Sequence, residues 1–199
     1  MTPAPAKLLI IGVGNSYRSD DGIGISVLHR LREQVPGEIR TLEATGEGTA
    51  LMESWKDAAA VIMVDAVRSG APPGTIHRLD AHAGQIPKRF FHYSTHAFGI
   101  AEAIELSRAL GLLPRRLVVY GIEGKSFAAG VGLSTEVEQA GAGARAGQQA
   151  VSSGAVERPL VDEVGNAAQL DGAAEDVHIH VIELVFRVVV QGVVDAHGQ

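Results

Sequence analysis

The first 140 residues alternate between two apolar patterns. One is the short continuous run, as in Lys7–Val13, which is almost wholly apolar and is followed at once by glycine. Runs of this kind read as strands buried on both faces of a parallel sheet. The other is helical spacing, as in Ile23, Val27, Leu28 and Leu31, with Asp20 and Asp21 placed to cap that helix and to complement its positive end. "GEIRTLEA" predicts a second strand and "EGTALMESWKD" a short helix. "AAAVIMVDAV" is a second central strand with Asp65 at its carboxyl end, and "PPGTIHRLD" supplies a turn and an edge strand. A helix is expected over Ala97–Leu110, closed by Gly111 with Pro114 beyond. "RRLVVYGIEG" predicts another buried strand, and "LSTEVEQA" opens a last helix with Thr135 and Glu138 in capping-box spacing. Alternation of this kind predicts an α/β fold with a mostly parallel sheet covered by helices on both faces.

The pattern changes after Gln139. "AGAGARAGQQAVSSGAVERP" is rich in Gly, Ala, Ser and Gln, lacks apolar periodicity and reads as linker. "EDVHIHVIELVFRVVVQGVV" is β-branched and partly alternating, hence strand-like, but Glu183, Arg187 and Gln191 interrupt it too often for a membrane span. His178 and His180, two apart, would share a face and could chelate a metal. An edge-strand surface explains them more cheaply.

Composition narrows the functional classes. The 199 residues are 46% hydrophobic and 20% charged, with a formal net charge of -6. That is an ordinary globular composition, long enough for one domain with its own core. Mild acidity argues against nucleic acid or an anionic membrane as the main partner. The absence of cysteine removes disulfides, thiolate metal sites and a cysteine nucleophile. A six-residue apolar run near the start is too short for a signal-peptide core, so a cytoplasmic location is expected.

The chemistry begins at "GVGNSYRSDDGIG", directly after the first strand. Gly12 and Gly14 open like a dinucleotide loop, but the third-glycine position holds Tyr17, and no Gly-Lys-Ser/Thr ending is present. Two carboxylates at a helix start would also repel phosphate. In parallel α/β sheets functional groups gather at the carboxyl ends of strands. Asp20 and Asp21 follow one strand, Asp65 ends another, and His96 in "HYSTHAFG" belongs to the loop region expected at the same edge. Two carboxylates and an imidazole can make an open three-ligand metal site. Taken singly, each has a simpler role as a cap, a turn residue or a surface histidine. "TGEG", Thr45–Gly48, follows the second strand; its glycines serve either turn chemistry or close approach of a ligand. No G-x-S-x-G elbow supports a serine hydrolase.

Taken together, "LLIIGVGNSYRSDDGIG", "TLEATGEGTALME", "VIMVDAVRSGAPPGTI", "STHAFGIAEAI" and "VVYGIEGKSFAAGVGLSTEVEQA" resemble, in that order, the hydrogenase maturation protease family. The resemblance covers residues 7 to about 140, and it implies a three-layer α/β sandwich around a twisted, mostly parallel sheet. It also implies a metal-binding and catalytic trio which, motif against motif, falls on Asp21, Asp65 and His96, leaving Asp20 as helix cap or as support for the trio. Thr45, Gly46 and Gly48 would line the substrate cleft. Family enzymes cut a short C-terminal peptide from the large-subunit precursor of nickel–iron hydrogenases after nickel insertion. The implied metal is therefore nickel supplied by or shared with the substrate, with other divalent cations able to substitute. Two alternatives stand beside it: a non-catalytic nickel-binding accessory protein or chaperone for hydrogenase assembly using the same trio, and, with less support, a nucleotide-binding α/β protein. The expected organisation is a protease-like domain over 1–140 and an atypical segment over 141–199, either a genuine addition or the product of an altered reading frame.

Overall fold

The computed structural model describes residues 8–35, 37, 39–91 and 98–141. The expectations for residues 142–199, including those for His178 and His180, and for His96 lie outside the described residues.

Five strands form one sheet: β1 (Leu8–Val13), β2 (Arg40–Ala44), β3 (Ala60–Val67), β4 (Ile76–Asp80) and β5 (Arg116–Glu123). Their spatial order is β2-β1-β3-β5-β4. All neighbours are parallel except β4, which runs antiparallel to β5. Every residue of β1 and β3 is buried, as the continuous apolar runs require. β4 is an edge strand, as expected from its mixed composition, and its residues are only partly covered. It leaves a slot beside β3 that β5 fills later in the chain.

Helices α1 (Ile23–Arg32), α2 (Gly48–Ser54), α3 (Ile100–Ala109) and α4 (Thr135–Gly141) complete the described fold. Ile23, Val27, Leu28 and Leu31 of α1 pack with Ile10, Ile62, Tyr120 and Val137 of α4 on one face of the sheet. Leu51, Trp55, Ala101 and Ile104 pack with Leu9, Ile11, Met63 and Val119 on the other. Two apolar clusters on opposite faces of one sheet make a three-layer α/β sandwich.

Element ends differ from expectation in three places. β2 begins at Arg40, where pairing with Leu9 of β1 starts; Ile39 just before it is buried but does not join the ladder. The described helix α3 begins at Ile100, with Gly99 as its cap. Thr135 is already the first residue of α4, and Glu138 N–H donates to Ser134 O at 2.8 Å. The cap position therefore falls to Ser134, and no box forms around Thr135.

β1 has β2 on one side and β3 on the other, so the chain leaves it in one direction and returns in the other. Such a reversal opens a crevice at the carboxyl ends of the strands. Asp21 follows β1 and Asp65 lies near the end of β3.

Candidate functional site

Val13 passes into the turn Gly14–Arg18, then a 3₁₀ turn, Ser19–Gly22, and then α1. Gly14 has φ +138°, and a Cβ there would lie 1.8 Å from Asp21 O. Only glycine allows this approach, which puts the turn against the backbone of Asp21. Gly24 serves a second approach: a Cβ there would meet Val13 O at 2.2 Å and Val64 O at 2.3 Å. The close helix–strand contact that a dinucleotide fold takes from its third glycine is supplied here by Gly24, while Tyr17 is exposed.

The two adjacent acids have different surroundings. Asp20 is fully buried. Its carboxylate accepts Lys125 N–H and Ser126 N–H at 2.8 Å each, Ser134 N–H at 2.6 Å and Ser134 Oγ–H at 2.9 Å. It does not cap α1: neither the 3₁₀ turn nor α1 has a side-chain cap hydrogen bond. Asp20 instead ties the segment after β5 and the start of α4 to the turn after β1. Asp21 is half-buried, and burial raises its pKa against the lowering effects of the Arg18 guanidinium and the Asn15 N–H.

Asp65 is buried within β3 and accepts the Ala66 N–H at 2.8 Å. Burial, with the Asp21 charge as the second cause, pushes its pKa up to about 8. The Asp21 charge thus raises the proton affinity of its neighbour Asp65, and a cation beside the two carboxylates would relieve that repulsion. Their oxygens are hard donors suited to a divalent cation.

Asp21 and Asp65 line one cavity of ≈ 470 Å³. Thr45 and Gly46 lie on its wall, with Arg18, Glu43, Phe90 and Phe91. Gly48 lies off the wall and packs against Phe98, where a Cβ would come within 2.4 Å of Cδ1. Between them, Glu47 caps α2 by accepting Thr49 N–H at 2.9 Å and Ala50 N–H at 2.7 Å. Of the expected trio, the described residues bring Asp21 and Asp65 together. Among them no group of three or more His, Cys, Asp or Glu is arranged to hold a metal ion. His96 lies outside them.

Sequence reasoning passed over Arg18 and the aromatic pair Phe90–Phe91. Arg18 stood inside the quoted motif, and its charge beside an acid pair was the available signal. The aromatic pair carried no periodicity to mark it. No helix among the described residues is long and apolar enough to cross a membrane.

A sequence model of the family described as hydrogenase maturation protease matches residues 25–151. Asp65 falls inside that match, and Asp21 lies just before it. The chain is 29% identical over 124 residues to the hydrogenase expression/formation protein HupD of Rhodobacter capsulatus, covering 60% of this chain and 58% of that one. It is 27% identical over 136 residues to the hydrogenase 2 maturation protease of Escherichia coli (strain K12), covering 66% and 82%. The matches to the first three curated relatives span 58%, 54% and 60% of their length, less than two thirds in each case. In three dimensions the chain resembles the hydrogenase maturating endopeptidase HybD from E. coli, with TM-score 0.55 and 25% identity over 66% of this chain and 83% of that one. It also resembles the solution structure of an endopeptidase from Escherichia coli, with TM-score 0.58 and 27% identity over the same shares.

Proposed function

The chain belongs to the hydrogenase maturation protease family, and we propose that it is an endopeptidase acting on the large-subunit precursor of a nickel–iron hydrogenase. In this reading it removes the precursor's C-terminal peptide once nickel has been inserted. The observation that carries the proposal is the acid pair, Asp21 and Asp65, in a cavity at the carboxyl edge of the sheet. The pair favours a ligand that brings positive charge, and a precursor already holding a divalent ion meets that need. Nickel is thus part of the substrate and marks it as ready. His96, from the next helix motif in the sequence, is proposed as the third contact.

The protein's own residues divide the remaining work. Asp21 and Asp65 offer carboxylate oxygens to the substrate's cation. Once that cation is present, Asp65 no longer gains from holding a proton near neutral pH, so recognition is coupled to proton release. Phe90 and Phe91 wall the cavity, restrict water and strengthen the electrostatics inside it. Thr45 and Gly46 are proposed to border the path of the peptide beside the cut. A protein nucleophile is not required, because a water can attack the amide when the substrate's cation polarises it.

Incubation with nickel-loaded and nickel-free precursor tests the reading. Shortening of the loaded form alone is expected. Binding without shortening would replace the proposal with a non-catalytic accessory role, and tight dinucleotide binding in a calorimetric titration would replace it with a nucleotide-binding one.

A further inference from the structure

Glu123 closes β5 and pairs in register with Val67, the last residue of β3. Its side chain is 2% exposed, yet among the described residues no lysine or arginine comes within ion-pair distance. Its carboxylate accepts Ser69 N–H at 2.9 Å with each oxygen, Gly70 N–H at 2.9 Å and Ser69 Oγ–H at 2.7 Å. His77 Nε2 lies 3.5 Å away. The main chain of Glu123 holds the far end of the same loop: Gly74 N–H donates to Glu123 O, and Glu123 N–H to Thr75 O, both at 2.8 Å. One residue therefore grips both ends of the connection between β3 and β4. Burying a carboxylate is costly unless its lone pairs are filled. A glycine-capped turn would close such a loop without that cost, so fastening a turn does not by itself account for the acid.

The loop leads to the cavity. Arg68 N–H, next to Ser69, donates to Phe90 O at 2.9 Å. His77 Nε2 lies 3.2 Å from Ser69 Oγ, and its ring meets the Phe90 ring at 5.2 Å between centroids, tilted by 55°. Because Ser69 Oγ gives its proton to Glu123, it accepts from His77, which fixes the imidazole with a proton on Nε2. Phe90 is thus held by its carbonyl and by its ring, and both holds trace to Glu123 through Ser69. Phe90 and Phe91 line the cavity that contains Asp21 and Asp65.

We infer that Glu123 is a positioning residue that, through Ser69 and His77, sets the Phe90–Phe91 wall over the acid pair and so governs how the substrate peptide seats. The inference rests on the proposed protease reading for its substrate, but the linkage itself is a property of this fold.

Ser69→Ala removes the hydroxyl link, together with the acceptor of the Ala71 N–H, and leaves the Ser69 and Gly70 N–H bonds to Glu123. It is expected to raise KM for nickel-loaded precursor about tenfold while kcat stays within about twofold, the signature of lost seating. Ser69→Thr, which keeps the hydroxyl, is expected to return KM to within about threefold of the parent. Amide exchange separates this linkage from the protease reading. Ser69→Ala is expected to speed exchange at the Arg68 amide about tenfold, with the Val119 amide unchanged. Unchanged Arg68 exchange, or a KM that does not move in a cleaving enzyme, would overturn the inference. A parent protein that cleaves nothing but shows the Arg68 effect would overturn the protease reading and leave the linkage supported.

Discussion

Asp21 and Asp65 share one cavity, and the charge of Asp21 adds to the burial that holds the Asp65 carboxyl at about 8. This relationship makes the site sensitive to pH and to cations before any substrate arrives. In the unfolded chain Asp65 ionises near its ordinary value of 3.8. Between 3.8 and about 8 the folded protein keeps a proton that the unfolded chain has lost. Stability attributable to Asp65 therefore falls as pH rises through that window and levels off above it.

Asp65→Asn removes the penalty without changing shape. The melting temperature of the variant should match the parent near pH 4.5 and exceed it increasingly towards pH 8.5, by a difference worth on the order of 5 kcal/mol at most. A gap that does not change with pH would show that Asp65 keeps its ordinary ionisation in the fold.

Replacing Asp20 should weaken the fold. Its carboxylate fills four hydrogen bonds to Lys125, Ser126 and Ser134 while fully buried. Asp20→Asn turns an amide NH₂ towards one of these donors, and Asp20→Ala leaves the donors without an acceptor. Either change should cost about 2–4 kcal/mol in urea unfolding at neutral pH. A loss below about 0.5 kcal/mol, typical of an exposed position, would remove the clamp from the account of this fold.

The contrast between these neighbours shows what the sequence could and could not reveal. The central strands were legible because residues buried on both faces are apolar almost throughout: β1 is wholly so, and β3 is except for Asp65. The pairing of glycine turn with acids was also legible, because the chemistry lies within a few residues. The role of Asp20 was not: its partners lie 105 to 114 residues further on, and no local pattern announces them. Capping was the best local reading of both acids, and tertiary contact overrode it. The same limit hid Glu123, whose significance depends on a loop more than fifty residues earlier in the chain. Phe90 and Phe91 needed the fold before they could be seen as a wall. The sequence left Asp20 and Asp21 indistinguishable by spacing, and burial separates them.

Ser107 offers a test of packing away from the site. It lies in α3, fully buried, and its Oγ has no hydrogen-bond partner among the described residues. An unpaired hydroxyl in an apolar cluster costs more than the contacts it makes, and alanine favours the helix. Ser107→Ala should therefore stabilise the protein by about 0.5–1.5 kcal/mol, read from the urea midpoint at constant m-value. Destabilisation would mean that the hydroxyl is satisfied in solution by a group or a water.

The division of labour between the acids is decided most directly on nickel-loaded precursor. Asp21→Asn removes a half-buried carboxylate whose own pKa is raised by burial, so the fold has little to lose. It also removes the charge that pushes Asp65 up, so the Asp65 pKa should fall. The proposed contact with the substrate's cation is lost at the same time. Processing should drop by about 10²-fold or more while the melting temperature at neutral pH stays level or rises, a pairing that a structural acid cannot produce. His96→Ala should give the same loss of processing with the fold intact, since it removes the proposed third contact with the substrate's cation. If Asp21→Asn unfolds the protein, or if either variant processes precursor at the parental rate, the assignment of these residues to the substrate's cation is wrong. The site would then have to be built around Asp65 with different partners.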